Sequence, residues 1–260
     1  MKILTCVKYV PDAGDEVGFE SDFTLGRTGP SSKLSELDEY AVEQALRLRA
    51  TIDGATVTVL SVGPAEAEVA LRKALQMGAD EAVLVSDEAI AGSDVFGTAA
   101  VLIAAAGYLD EVGLVMCGMS STDAGIGALP ALLAEALGWP LLSNAAEVSV
   151  EAGQARIVRS DEFGTRVVEA ALPAVVSVTD QSGEPRYPSF KDVLAAKKKS
   201  VTTIGLAELG VEAALVGAGA ARVQVTAVVR NPERAAGRVI VDVDGSSVDD
   251  IVEFLAAATK

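Results

Sequence analysis

The sequence predicts an α/β protein: a doubly wound, mostly parallel sheet with helices on both faces. An antiparallel hairpin region and a C-terminal arm follow it. Three observations carry this. Short apolar, β-branched runs alternate with stretches of helical period over the first 140 residues. Closely spaced short runs then take over. Beyond Lys197, Lys198 and Lys199 the chain turns rich in Ala, Val and Gly.

Residues 3–7 form an apolar run that ends in a Pro11-Asp12-Ala13-Gly14 turn, which reads as a buried strand. Residues 14–30 are polar and glycine-rich and read as an excursion. Ser35 followed by Glu36, Asp38 and Glu39 marks a helix start, a capping residue and then acids over the positive end of the dipole. Ala41, Val42, Ala45, Leu46 and Leu48 recur at helical spacing behind it. Strands follow at 55–62, 82–85 and 114–117, with helices at 65–77, 94–109 and 122–137. Gly78 and the Gly138-Trp139-Pro140 run stop two of those helices. Residues 146–150, 155–158 and 166–170 read as antiparallel hairpins, and 174–178 as one more buried strand. The expected organisation is an α/β nucleotide-binding domain over 1–200 and an arm over 201–260 that closes on a helix at 248–257.

Composition removes several functions. The net charge of −16 repels a phosphate backbone, which argues against nucleic acid. Histidine is absent, so the usual general base and the Ser-His-Asp and Cys-His machineries cannot be built from this chain. Cys6 and Cys117 lie in apolar strand runs and read as small buried hydrophobes, too few for a zinc site. The opening residues are too short for a signal peptide and no apolar run could span a bilayer, so a cytoplasmic protein without membrane insertion is expected.

In an open parallel sheet, ligands bind beyond the carboxyl ends of the strands where the strand order switches. Residues 6–11, 62–64 and 118–130 lie at such ends. The last of these carries Gly118, Asp123, Gly125 and Gly127 between a buried strand and a helix. Glycines let backbone N–H groups approach a phosphate at a helix start, although they also end strands for steric reasons alone. No Gly-Lys-Ser/Thr follows, so this is not a P-loop. A second segment, 183–199, holds Pro185 and Pro188 around Tyr187 and Phe190, near four lysines. It reads either as a solvated surface connection or as a docking loop with aromatic anchors.

Taken together these segments resemble the electron-transfer flavoprotein β subunit. Glu184-Pro185-Arg186-Tyr187 followed by Ala195-Ala196-Lys197-Lys198-Lys199 is the most specific match. Val7-Lys8, Asp38-Glu39-Tyr40-Ala41-Val42-Glu43, Gly63-Pro64, Ala74-Leu75-Gln76-Met77-Gly78-Ala79-Asp80 and Asp123 support it in order and spacing. Pro232-Glu233-Arg234-Ala235-Ala236-Gly237 resembles the family's C-terminal arm.

The resemblance implies a non-catalytic electron-carrier subunit in a heterodimer with an α subunit that holds most of an FAD. It implies an AMP without redox role in this chain, against Cys6, Ser35, Asp38, Val62, Gly118, Asp123, Gly125, Ile126, Gly127, Ala128 and Leu129. In related pairs that bifurcate electrons an FAD takes that place. It also implies docking of acyl-CoA and other flavin dehydrogenases on Glu184, Pro185, Arg186, Tyr187 and Phe190, and a quinone-reducing acceptor downstream. Where many members carry Asn-Gln-Thr-Gly in the phosphate loop, this chain has Gly127-Ala128-Leu129-Pro130, so phosphate contacts there fall to backbone N–H groups. A nucleotide hydrolase or a nucleotide-sensing module are the other readings. A hydrolase needs a phosphate-binding lysine or an acid cluster at a strand end, and Asp123 is its one candidate acid.

Overall fold

A computed structural model describes residues 1–12, 14, 18–27, 31–229, 231–232, 236–237, 239–242, 245 and 247–258. Glu233, Arg234 and Ala235 of the expected arm motif lie outside the described residues. The chain divides into two units, Met1–Thr226 and Ala227–Lys260.

In chain order the first unit comprises β1 (Lys2–Cys6), β2 (Tyr9–Val10), β3 (Lys33–Leu34), α1 (Glu36–Thr51), β4 (Thr56–Val62), α2 (Glu68–Met77), β5 (Glu81–Val85), α3 (Val95–Tyr108), β6 (Val112–Gly118) and α4 (Leu129–Leu137). It continues with β7 (Leu141–Ala145), β8 (Glu147–Glu151), β9 (Gln154–Asp161), β10 (Gly164–Ala171), β11 (Ala174–Val178), α5 (Phe190–Ala196), β12 (Val201–Ile204) and α6 (Leu206–Leu209). Seven strands form one sheet in the order β12-β5-β4-β1-β6-β11-β7, and every neighbouring pair is parallel. A second sheet, β10-β9-β8, is antiparallel.

Strand side chains alternate between two apolar layers. Ile3, Val57, Val59, Leu114 and Met116 pack in one layer with Leu46 of α1 and Leu71 and Leu75 of α2. Leu4, Leu60, Val115 and Cys117 pack in the other with Val101 and Leu102 of α3 and Leu133 of α4. This is the expected doubly wound arrangement: period-2 strands buried on both faces between helices.

Two boundaries and one strand differ from expectation. The expected domain end near residue 200 falls later, because β12 pairs with β5 from Val201↔Ala82 to Ile204↔Val85 and so completes the main sheet. Its sequence, Val201-Thr202-Thr203-Ile204, is β-branched, but the preceding lysine run masks it. The helix expected from 122 begins only at Leu129, because Gly125 (φ 62°) and Gly127 (φ 65°) take left-handed backbone that a helix cannot include. β7, with Leu, Ser, Asn and Ala, has too weak a strand signature to be read from sequence.

In the second unit, α7 spans Ser247–Ala258 and carries Asp249 and Asp250 in its first turn. Val248, Ile251, Val252 and Phe254 are exposed on it.

Candidate functional site

The strand order switches between β1 and β6, so the crevice of interest opens beyond Cys6 and Gly118. A buried carboxylate braces it. Asp38, in the first turn of α1, accepts the Lys8 backbone N–H at 2.9 Å and also bonds the backbone N–H of Gly118. One side chain therefore ties the ends of both switch strands. Gly118 is required by that close approach: a Cβ there would stand 2.7 Å from Asp38 Oδ1 and 2.8 Å from the Leu37 carbonyl oxygen. Burial pushes the Asp38 carboxyl up to about 7, against the two backbone hydrogen bonds and the Lys8 charge.

Ser35 sits at the N-cap position of α1, but its side chain makes no capping bond. Its Oγ instead accepts the Thr122 N–H at 3.4 Å, and its own N–H bonds the Lys8 carbonyl at 2.9 Å. The expected cap is thus a stitch between the helix start and the 118–128 loop.

That loop is held from within by a second carboxylate. Asp123 has a side-chain exposure of 0% and pairs with Lys8 Nζ at 2.9 Å and Arg27 Nε at 2.6 Å. Lys8 Nζ also reaches Ser121 Oγ at 3.4 Å. Burial pushes the Asp123 carboxyl up, but the Lys8 charge and the Ser121, Lys8 and Arg27 hydrogen bonds outweigh it and hold the group well below the ordinary carboxylate range. For Lys8, burial wins over Asp123 and lowers the ammonium. Asp123 is therefore a clamp between the excursion and the loop, engaged on both oxygens. Among the described residues no cluster of three or more His, Cys, Asp or Glu could hold a metal.

The remaining expected residues line the same edge. Cys6 and Cys117 are buried on neighbouring strands, and the hydrogen bond between them, then burial, pushes the Cys117 thiol up. They are packing residues and not nucleophiles. Val62 is half-buried at the end of β4, and Ile126 is exposed at the loop tip. Ala128 and Leu129 open α4, whose first-turn N–H groups lack intrahelical acceptors as at any helix start.

The 183–199 segment stands apart. Arg186 binds Glu43 of α1 through its backbone N–H (3.1 Å), Nε (2.7 Å) and Nη2 (3.2 Å). Arg47 holds the same glutamate at 2.7 Å and the Glu184 carbonyl at 3.3 Å. Gln44 Nε2 donates to the Ser182 carbonyl at 2.6 Å. The base of the loop is thus pinned to α1. Its tip is bare: Tyr187 is 93% exposed, with Lys73 Nζ 5.5 Å from its ring centroid, and Phe190 is 80% exposed. Phe190 opens α5 behind a capping box in which Ser189 and Asp192 bond each other's backbone N–H groups.

Comparison with known proteins gives the family of the chain. The family model described as the electron transfer flavoprotein domain matches residues 22–209. The chain belongs to the electron transfer flavoprotein family. The Mycobacterium bovis electron transfer flavoprotein subunit beta is 44% identical over 260 residues, covering 98% of this chain and 97% of the relative. The Mycobacterium leprae protein of the same name matches at the same level, 44%, with 98% and 97% covered. A more distant relative, subunit CarD of the caffeyl-CoA reductase-Etf complex of Acetobacterium woodii, is 30% identical over 100% of this chain and 98% of its own.

Within this flavoprotein chain, sequence reasoning missed two members of the crevice cluster. Lys8 had a signal, a lone cation at the carboxyl end of an apolar strand. Arg27 had none, since it reaches Asp123 across 96 residues from an irregular segment. No described helix is long and apolar enough to cross a membrane.

Proposed function

We propose that this chain is the β subunit of a heterodimeric electron carrier. It holds AMP in the crevice between β1 and β6, pairs with an α subunit that carries FAD, and stays non-catalytic itself. Electrons come from acyl-CoA and other flavin dehydrogenases that dock on residues 183–199, and leave toward a quinone-reducing acceptor, in the cytoplasm. The observation that supports this best is a crevice at the strand-order switch whose acids, Asp38 and Asp123, are both bound internally. Such a site can hold a ligand but offers no free base or nucleophile to transform it. An adenine nucleotide fits its parts: the N–H groups at the start of α4 suit a phosphate, and Cys6 and Val62 suit an apolar ring.

The Ala227–Lys260 unit fits the role of a partner-binding arm, because α7 exposes Val248, Ile251, Val252 and Phe254 along one short helix. A truncation that tests this belongs after Thr226, where β12 stays intact, and should abolish co-purification with the α subunit.

A second reading places FAD in the same crevice, as in bifurcating pairs; the relative named for a caffeyl-CoA reductase complex is the observation behind it. Mass spectrometry of the molecules released on denaturing the co-expressed heterodimer separates the two. One AMP and one FAD per heterodimer is the expected result. Two FAD without AMP selects the second reading, and absence of any nucleotide overturns both.

A further inference from the structure

Two arginines of the antiparallel sheet are left without an anion. Arg159 of β9 and Arg166 of β10 are direct cross-strand partners, so their side chains leave the same face. Like charges placed opposite each other disfavour pairing. Three rungs along this ladder, on the other face, Arg156 and Glu169 are matched as an ion pair at 3.2 Å. Neither Arg159 nor Arg166 takes part in any ion pair among the described residues, in a chain with 37 acids against 21 Lys and Arg. Asp161 follows two positions on along the same face of β9, but its carboxylate accepts the Phe163 N–H at 2.9 Å and closes the hairpin turn.

The geometry around Arg159 is that of a held guanidinium. One terminal nitrogen donates to Ser143 Oγ of β7 at 3.2 Å, which fixes the plane of the group. Its Nε is buried and has no hydrogen-bond partner. A buried N–H left unpaired on a cation is costly and stands out in a folded protein. Ser143 is the central residue of β7, a strand parallel to β11 and so to β6 and β1.

We propose that Arg159 and Arg166 form a two-guanidinium receptor for a single oxyanion, a carboxylate or a phosphate. The planar fork of Arg159 supplies Nε–H and a terminal N–H to it, and Arg166 adds a second charge from the neighbouring strand. The anion removes the cross-strand repulsion and satisfies the unpaired Nε together. The receptor is separate from the Lys8–Asp123–Arg27 cluster, whose charges already meet within the chain.

The full-length protein tests this by NMR of the arginine side-chain Nε–H signals at constant ionic strength. Sulfate, inorganic phosphate and acetate serve as probes, with chloride as the control. The expected result is a saturable shift of the Arg159 signal with at least one oxyanion and none with chloride. Saturation by acetate alone identifies a carboxylate receptor, and saturation by phosphate and sulfate alone identifies a phosphate receptor. Arg166→Gln, at an exposed position, relieves the like-charge repulsion, so it should not lower the thermal unfolding temperature, and it should weaken the anion about tenfold. Arg159→Lys keeps the charge but loses the fork, and should lose the preference for oxyanion over chloride. A shift that stays linear in every probe, or that is the same in Arg166→Gln, overturns the proposal.

Discussion

The crevice and the 183–199 loop use charge in opposite ways. In the crevice, Asp38 and Asp123 are buried and fully engaged, and their bonds join segments far apart in sequence. In the loop, the one buried carboxylate, Glu43, sits under its base and binds Arg186 and Arg47, while Tyr187 and Phe190 point away into solvent. The first region uses ion pairs and hydrogen bonds to hold its own segments together at the strand-order switch. The second uses them to fix a platform from which apolar groups project. Mutations should therefore separate the two: crevice changes should cost stability, and loop-tip changes should cost only recognition.

Asp123→Asn should have the largest effect on stability. It leaves Lys8 and Arg27 without an anion, and removing one partner from a buried pair costs several kcal/mol. Because both cations are more than a third exposed, roughly 2 kcal/mol is expected here, read as a lower urea midpoint. An unchanged midpoint would show that the clamp is only a surface contact.

Asp38 sharpens the contrast through pH. Its folded value of about 7 lies above the ordinary carboxylate value of about 3.9, so between these the native state binds more protons than the unfolded chain. The stability linked to this group is fully present below about pH 4 and is lost as pH rises through about 7. Asp123, held low, stays ionised over the same window and adds no slope there. The urea midpoint of the wild type should thus fall as pH rises from about 5 to 7 and level off above that, and Asp38→Asn should flatten that fall. A slope unchanged by the substitution assigns it to other groups.

Arg186→Ala tests the platform itself. Glu43 keeps Arg47, so a smaller loss, about 1 kcal/mol, is expected, together with weaker recognition as the loop base loosens. A loss as large as that of Asp123→Asn would place Glu43 with the crevice in kind.

How much of this was legible follows the range of the interactions. The doubly wound order could be read because strand and helix periods are local, as at Val57–Val59 against Ala41–Leu48. The loop at 118–130 could be read as glycine-rich, yet the helix start shifted to Leu129 because left-handed backbone at Gly125 and Gly127 leaves no periodic mark. Arg186 reads from sequence as part of the docking segment. The structure adds its bond to Glu43, 143 residues earlier, and no sequence pattern records a pairing of that span. Arg27 escaped for the same reason.

Phe190→Ala carries the smallest expected effect on the fold. With 80% of its surface exposed, the ring buries little and its loss should move stability by less than about 0.5 kcal/mol. It is nonetheless well placed to dock: it opens α5, the Ser189–Asp192 capping box fixes its backbone, and Pro185, Pro188 and the Arg186–Glu43 bonds stiffen the approach. Such preorganisation lowers the entropy lost on binding, and an aromatic anchor in a fitted pocket is worth on the order of 2 kcal/mol. That corresponds to a rise of roughly thirtyfold in the apparent KM of a flavin dehydrogenase for this protein as electron acceptor. Nucleotide content and the melting temperature should stay at wild-type values in the same preparation. A lower melting temperature with an unchanged KM would instead make Phe190 a packing residue, and would erase the division between a crevice that stabilises and a tip that recognises.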